Sequence, residues 1–209
     1  MKKILIADDH TIFREGLKQF IARTVDMVVA DEAENGQEVL GKIQANDFDL
    51  LILDISMPGR NGLDILADVK KIRPKLPVLV LSMHPEEQFA LRAFKAGASG
   101  YLTKGSPPHE LYAALQRIAM GKRYVSADLA EALADSLGAD NGRSLHEDLS
   151  NREYQVMCLI AAGQKPQQIA DALAMSVKTV GTYRARIFKK LNIKNNAELT
   201  RYALENDML

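Results

Sequence analysis

The first 122 residues alternate short apolar runs with longer amphipathic stretches, and this alternation constrains the fold more than any other feature of the chain. The apolar runs predict strands at residues 3–7, 27–30, 50–53, 78–81 and 100–102. The amphipathic stretches predict helices at residues 11–22, 37–44, 63–72, 86–96 and 108–120. Strands separated by helical crossovers pair in parallel, so we expect an α/β fold with a doubly wound, five-stranded parallel sheet.

The pattern changes after residue 122, which places a domain boundary there. We expect residues 1–122 to form one domain and residues 148–209 to form a small all-α domain. Residues 123–147 would link the two. Within this linker, residues 126–137 have the spacing of a short helix, and residues 138–144 have the small, polar composition of a flexible connection.

Four short helical patterns follow the linker and begin at Ser150, Pro166, Ser176 and Asn196. Ser150 and Glu153 have the spacing of a capping box, and Pro166 suits a first helical turn. The C-terminal domain is therefore predicted to contain four helices.

The composition excludes several classes of protein. With 47% hydrophobic and 26% charged residues, the chain is an ordinary globular sequence. No apolar run approaches the ~20 residues needed to span a bilayer. The N-terminal apolar stretch stops at Asp8 and Asp9, too early for a secretory signal, so we expect a cytoplasmic protein. The single cysteine, Cys158, lies among apolar residues and is predicted to be structural.

Basic residues are concentrated near the C-terminus although the net charge is zero. Residues 147–209 carry 9 basic and 7 acidic side chains, and residues 178–194 carry six basic and no acidic ones. This stretch is the best candidate for contacts with nucleic acid.

Five polar side chains fall where strands of the predicted sheet end. Asp8 and Asp9 follow the first strand, Asp54 follows the third, Ser82 the fourth, and Lys104 comes shortly after the fifth. A single aspartate at a strand end is usually a turn former. Together, however, three carboxylates at one sheet edge repel one another, so they would bind a divalent cation or hold a proton. With a hydroxyl and an ammonium beside them, they suit phosphoryl transfer to Asp54.

This arrangement resembles the receiver domain of response regulators over residues 1–122. The residues that carry the match are Asp8, Asp9, the LDISMPG segment at 53–59, Ser82 and Lys104. The resemblance implies a flavodoxin-like fold in which Asp54 accepts a phosphoryl group from a sensor histidine kinase. It also implies a Mg²⁺ site formed by Asp9, Asp54 and the backbone carbonyl of Ser56, with Asp8 acting through water.

The same resemblance assigns Ser82 and Lys104 to the phosphoryl oxygens. Tyr101, on the last strand, would turn inward when Ser82 is drawn to the phosphate, although it could instead be an ordinary half-buried aromatic. Gly105 follows Lys104 where many receivers have proline, which leaves the geometry of that loop open.

In the C-terminal domain, helical patterns at 166–173 and 176–191 are joined by a tight turn at 174–175. At 100° per residue, the buried side of the second helix is predicted to contain Val177, Val180, Ile187, Phe188 and Leu191. The opposite side presents groups suited to phosphates and base edges, on Lys178, Thr179, Thr182, Tyr183, Arg186, Lys189 and Lys190. A basic helix face can also be a solvated surface without a ligand.

Arg184 is the exception, because it projects to the buried side of that helix. We expect it to make an internal ion pair with Glu153 or Asp171 rather than a DNA contact.

Residues 148–206 resemble the LuxR-type helix-turn-helix module. With a receiver in front, the whole chain looks like the NarL/FixJ class of bacterial transcription regulators. The resemblance implies that residues 196–205 form a dimer helix and that the phosphorylated protein binds paired promoter half-sites as a homodimer.

Two other functions compete with this interpretation. Hydrolases that use an aspartyl phosphate usually carry a second aspartate two positions after the nucleophile, and Ser56 occupies that position here. We therefore expect no enzyme beyond assistance to the receiver's own phosphorylation and dephosphorylation. A DNA-binding or interaction module with an unused receiver pocket is the second alternative.

Overall fold

Five parallel strands form the sheet at the centre of the N-terminal unit in this computed structural model, which describes residues 1–127, 129–131, 145–206 and 208. The strands are β1 (Lys2–Ala7), β2 (Met27–Ala33), β3 (Leu50–Asp54), β4 (Val78–Ser82) and β5 (Gly100–Thr103). Their order in the sheet is β2-β1-β3-β4-β5, so the direction of winding reverses between β1 and β3. This confirms the predicted doubly wound sheet, whose ligands bind beyond the carboxyl ends of the strands at such a reversal.

Five helices cover the two faces of the sheet. They are α1 (Thr11–Ala22), α2 (Gly36–Ala45), α3 (Gly62–Ile72), α4 (Glu86–Lys95) and α5 (Pro108–Ala119). All ten predicted elements are present, and α1 has its predicted bounds. The largest error is in β2, which continues three residues past the predicted end at 30. Because β2 is an edge strand with partly exposed residues, it accommodates acidic side chains that the interior strands would exclude.

The apolar core lies on both sides of the interior strands. Every residue of β3 and of β4 is buried. On one face, Ile4, Ile6 and Ile52 pack with side chains of α1 and α5. This packing fixes the carboxyl ends of β1, β3 and β4 side by side, where the predicted polar residues lie.

The predicted linker is described in part. Within the helix expected at 126–137, residues 127 and 129–131 are described and helical. The flexible segment expected at 138–144 lies outside the described residues. The chain divides into compact units at Asp135 and Ser136, inside the predicted linker.

The described part of the C-terminal unit consists of a 3-10 turn (Leu145–Asp148) and four helices: α6 (Asn151–Ala161), α7 (Pro166–Ala172), α8 (Val177–Leu191) and α9 (Asn196–Glu205). Ser150 and Glu153 form the predicted capping box at the start of α6. The core of the C-terminal unit includes Ile169, Ile187 and Leu199, which are fully buried, and Cys158 is buried as predicted. Within the described part of the chain, no helix has the length and apolar character to cross a bilayer.

Candidate functional sites

An acidic cluster lies where β1 and β3 end. Asp8, Asp9 and His10 follow β1, and Asp54 is the last residue of β3. One ligand atom from each of these four residues lies within 4.8 Å of the others. Asp8 and Asp54 are only 2% and 1% exposed, so their charges interact through a poorly solvated interior.

The ammonium group of Lys104 is inserted into this cluster. Its Nζ lies 2.7 Å from Oδ2 of Asp8 and 2.7 Å from Oδ2 of Asp54, and the side chain is 4% exposed. The backbone N–H of Lys104 donates to the carbonyl of Ser82, which ties the β5 end to the β4 end. The lysine therefore offsets part of the carboxylate repulsion.

Two opposing effects act on the ionisation of the Asp54 carboxyl group. Burial raises the pKa of Asp54 above its usual value, while Lys104 and the N–H of Ser56 favour the ionised form. That N–H donates to Oδ1 of Asp54 at 2.7 Å. One carboxylate oxygen is thus fixed by the backbone and the other faces the lysine.

The cluster fits a magnesium ion. Oδ1 of Asp9 is buried and accepts no hydrogen bond, although Nδ1 of His10 lies 3.2 Å away. A buried carboxylate oxygen of this kind needs a cation or a donor. Several carboxylate oxygens close together are the ligands that Mg²⁺ prefers.

The sequence interpretation missed two residues of this site. Nδ1 of His10 lies 3.2 Å from Oδ1 of Asp8 and 4.0 Å from Oδ2 of Asp54, so His10 contacts the cluster directly. Arg14 donates to the carbonyl of Asp8 from α1. The position of His10 directly after the acidic pair was the available signal, whereas nothing in the local sequence places Arg14 there.

Ser82 and Tyr101 both form hydrogen bonds with the backbone of His84, in the β4–α4 loop. The buried hydroxyl of Ser82 accepts from the N–H of His84 at 3.1 Å. The hydroxyl of Tyr101 donates to the carbonyl of His84 at 2.9 Å. The ring of Tyr101 is fully buried rather than half-buried, and its role as a switch stays a prediction. The His84 ring stacks on Phe89 at 4.3 Å, and burial lowers the pKa of His84.

The second candidate site is the surface of α8. A tight turn that contains Ala174, with φ 48°, joins α7 to α8, and Ser176 caps α8. Val180, Ile187 and Leu191 are buried as predicted. Val177 is 42% exposed, which corrects its predicted burial, because it is the first residue of α8.

The predicted polar face of α8 is present with one exception. Lys178, Thr182, Arg186 and Lys189 are exposed, whereas Thr179 and Tyr183 are half-buried. Nζ of Lys190, by contrast, lies 2.6 Å from Oε2 of Glu153 and donates to the carbonyl of Asp148. These contacts favour a structural role for Lys190, while its expected DNA contact stays a prediction.

The expected ion pair of Arg184 is wrong. Its Nε donates to Oδ1 of Asn196 at 2.9 Å, and its guanidinium lies 4.4 Å from the centre of the Phe188 ring. Lys190 occupies the carboxylate of Glu153 instead. Arg184 thus connects α8 to the first residue of α9.

Comparison with known proteins identifies a family for each of the two parts of the chain. Residues 4–116 match the response regulator receiver domain, and residues 147–203 match the luxR family of bacterial regulatory proteins. The chain belongs to the response regulator family, as a receiver followed by a LuxR-type DNA-binding domain. It is accordingly a phosphorylation-controlled transcription regulator of a two-component system, in a family of DNA-binding regulators rather than of enzymes.

Relatives of known name align over the whole chain. The protein is 34% identical to the response regulator UvrY of Escherichia coli, with 100% of this chain and 96% of UvrY covered. It is 35% identical to the response regulator GacA of Pseudomonas aeruginosa, with 100% and 98% covered. The solved structure of RcsB from Salmonella enterica serovar Typhimurium, bound to promoter rprA in the presence of phosphomimetic BeF3⁻, is 26% identical with a TM-score of 0.66 and covers 97% of this chain and 98% of RcsB.

Proposed function

We propose that Asp54 accepts a phosphoryl group from a sensor histidine kinase and that this modification controls DNA binding by residues 148–209. The observation that carries the proposal is the position of the Asp54 carboxylate. It is almost fully buried, one oxygen is held by the Ser56 N–H, and the other lies 2.7 Å from Lys104. Asp8 and Asp9 place further carboxylate oxygens beside it.

The chemistry at Asp54 is an in-line displacement. A carboxylate oxygen of Asp54 attacks the phosphorus of a phosphohistidine, the new P–O bond forms, and the P–N bond to the kinase breaks. Asp9, Asp54 and the carbonyl of Ser56 would hold Mg²⁺, with Asp8 acting through water. Bound there, the ion offsets the charge of the transferring phosphoryl group. The receiver thus assists its own phosphorylation and dephosphorylation without turning over a separate substrate.

Lys104 and Ser82 would bind the phosphoryl oxygens. The ammonium of Lys104 already lies between Asp8 and Asp54, so a short movement brings it onto a phosphoryl oxygen. The hydroxyl of Ser82 now accepts from His84 N–H. Once Ser82 turns to donate to the phosphoryl group, that contact to the β4–α4 loop is lost.

Tyr101 would act with Ser82 as a switch. Phosphorylation adds about two negative charges at Asp54 and can reorder the side chains that contact them. Because Ser82 and Tyr101 both bond to the backbone of His84, movement of the loop at His84 changes both contacts together. The surface formed by the β4–α4 loop and β5 would therefore differ between the two states.

The DNA contacts proposed on α8 are made by Lys178, Thr179, Thr182, Tyr183, Arg186 and Lys189. The exposed lysines and Arg186 suit phosphates and guanine edges, and the hydroxyl groups suit either phosphates or bases. RcsB, which is similar to this chain, was solved bound to promoter rprA, and this supports double-stranded DNA as the ligand.

We further propose that phosphorylation acts through a homodimer in the cytoplasm, with α9 at the dimer contact. Two linked DNA-binding modules gain affinity without any new base contact. Size measurement of the full chain with and without acetyl phosphate tests this step. A dimer that forms with equal strength in both states would contradict it.

The phosphoacceptor is tested with acetyl phosphate and Mg²⁺, followed by mass spectrometry of the full chain. We expect labelling of the wild type on Asp54 and none of Asp54→Asn. Asp47→Asn is the matched control, because Asp47 is 89% exposed and should leave labelling unchanged. Equal labelling of Asp54→Asn and the wild type would refute the assignment. DNA binding without any labelling would instead favour a module with an unused pocket.

A further inference from the structure

Arg14 is a buried cation whose guanidinium contacts the acidic cluster through the backbone. It lies on α1 and is 6% exposed. Its Nη1 donates to the carbonyl of Asp8 at 2.6 Å. Its Nε donates to Glu32 at 2.9 Å and its Nη2 to Glu34 at 2.6 Å, which connects the β1–α1 turn to the end of β2 and the residue after it.

Helix formation does not account for this residue. A cation near a helix N-terminus is unfavourable, because the macrodipole is positive there. Burial of a guanidinium is also costly unless its donors are all satisfied. The two glutamates offset the charge, and the remaining bond goes to the carbonyl of Asp8, in the peptide group that joins Asp8 to Asp9.

The backbone of Asp8 is consequently held on both sides. Its N–H donates to the carbonyl of Ala33, and its own carbonyl accepts from Arg14. The carboxylate of Asp8 in turn accepts from the N–H of His10 at 2.8 Å. Arg14 therefore holds the backbone of the turn from which the Asp8 and Asp9 carboxylates project.

We propose that Arg14 is a positioning residue that pre-orients the carboxylates of Asp8 and Asp9 for a divalent cation. This inference rests on the proposed function of the pocket as a Mg²⁺-dependent phosphoacceptor site. Groups that orient metal ligands commonly change metal affinity about 10–100-fold when removed.

The sign of the effect separates positioning from electrostatics. Removal of a positive charge near carboxylates should by itself strengthen cation binding. If Arg14 positions the turn, its removal weakens cation binding instead. Lys18 offers a matched control, because it pairs with Glu32 of the same network at 2.7 Å without contacting Asp8.

The experiment measures Mn²⁺ binding to the unphosphorylated full chain by the electron paramagnetic resonance signal of free Mn²⁺, with Mg²⁺ as competitor. We expect Arg14→Met to raise the half-saturating Mn²⁺ concentration about tenfold. Lys18→Met should leave it unchanged or lower it. Arg14→Lys keeps the charge but cannot donate to Asp8, Glu32 and Glu34 together. Its half-saturating Mn²⁺ concentration should lie between those of the wild type and Arg14→Met.

A second readout distinguishes positioning from a general loss of stability. At saturating Mg²⁺, the rate of labelling by acetyl phosphate should return close to the wild-type rate in Arg14→Lys, while half-saturation stays shifted. If Arg14→Met does not fold, Arg14→Lys carries the test alone. Because it keeps the positive charge, a rise in its half-saturating Mn²⁺ concentration cannot come from a change in net charge.

Two results would overturn the inference in different ways. Equal half-saturation in Arg14→Lys and the wild type would leave Arg14 a structural residue, with the phosphoacceptor assignment intact. A wild-type protein that binds no Mn²⁺ and is not labelled on Asp54 would overturn the proposed function and this inference together.

Discussion

Lys189 and Lys190 are adjacent residues of one type on α8, yet the structure gives them different surroundings. Lys190 pairs with Glu153, whose side chain is 5% exposed, and also donates to the carbonyl of Asp148. Lys189 is exposed and has no ion-pair partner among the described residues. We predict that Lys190→Met lowers the stability of the C-terminal domain and that Lys189→Met weakens DNA binding.

The size of the stability effect follows from the burial of Glu153. Without Lys190, the carboxylate still accepts from the N–H of Ser150 but loses its only ion pair among the described residues. An uncompensated charged group of this kind costs about 2 kcal/mol, less than a fully buried pair because Lys190 is 40% exposed. For a domain of this size, that corresponds to a fall of roughly 10 °C in Tm.

The assay compares the two methionine variants in the full chain. Calorimetry gives Tm, and DNA binding is measured over a salt series at a temperature where both variants are folded. Lys189→Met should reduce the slope of log K against log salt by about 1 per protomer, with an unchanged Tm. Lys190→Met should lower Tm and leave the salt slope unchanged. An unchanged Tm for Lys190→Met, combined with a salt slope reduced as much as in Lys189→Met, would refute the ion pair and return Lys190 to the DNA face.

Three further predictions concern other sites. Ser56 and His84 lie two residues after Asp54 and Ser82, where we expect them to flank the path of the water that hydrolyses the aspartyl phosphate. Substitution of both should change the half-life of the phosphoprotein severalfold and leave Mg²⁺ affinity nearly unchanged; an unaltered half-life would count against that placement. Gly181 lies inside α8 with no atom within 4 Å of an added Cβ, so Gly181→Ala should stabilise the protein by about 1 kcal/mol. The same variant should weaken binding to a selected DNA site if close backbone approach matters, which a comparison with random DNA measures. Burial of Glu153 opposes its ionisation, but hydrogen bonds from Lys190 and Ser150 outweigh burial and hold its pKa below the ordinary 4.5. The stabilisation by ionised Glu153 is therefore complete above pH 4.5 and is lost as the pH falls through the lowered pKa. The difference in unfolding free energy between the wild type and Glu153→Gln should accordingly shrink as the pH falls below 4.5.

Most of the receiver fold could be predicted from the sequence because its signals are local. The interior strands are continuous apolar runs, and the helices show one apolar face, so each element is defined by its own residues. The C-terminal caps are equally local, since Ser150 bonds to Glu153 three residues away. The end of β2 could not be predicted in this way, because only the place of β2 at the sheet edge explains its acidic residues.

Most residues of the candidate site could be predicted from the sequence, but the contacts that they make could be predicted less well. Strand order brings Asp8, Asp54 and Ser82 to one edge, and a parallel sheet makes that edge predictable. The roles assigned to these residues stay predictions. Which partner each charge finds depends on packing. The ion pair expected for Arg184 was wrong, and the pairing of Lys190 with Glu153 was not foreseen.

By itself, the sequence determined the order of strands and helices, the two kinds of domain and the residues available for chemistry, because periodicity and residue type act over a few neighbouring positions. Only the tertiary structure decided that Lys104 lies between Asp8 and Asp54, that Tyr101 is buried against the His84 carbonyl, and that Arg14 holds the turn after β1. These contacts join residues from separate elements, at distances that depend on how helices pack on the sheet. A charge in a buried site pairs with the opposite charge that packing brings nearest to it. The local sequence pattern does not determine which residue that is.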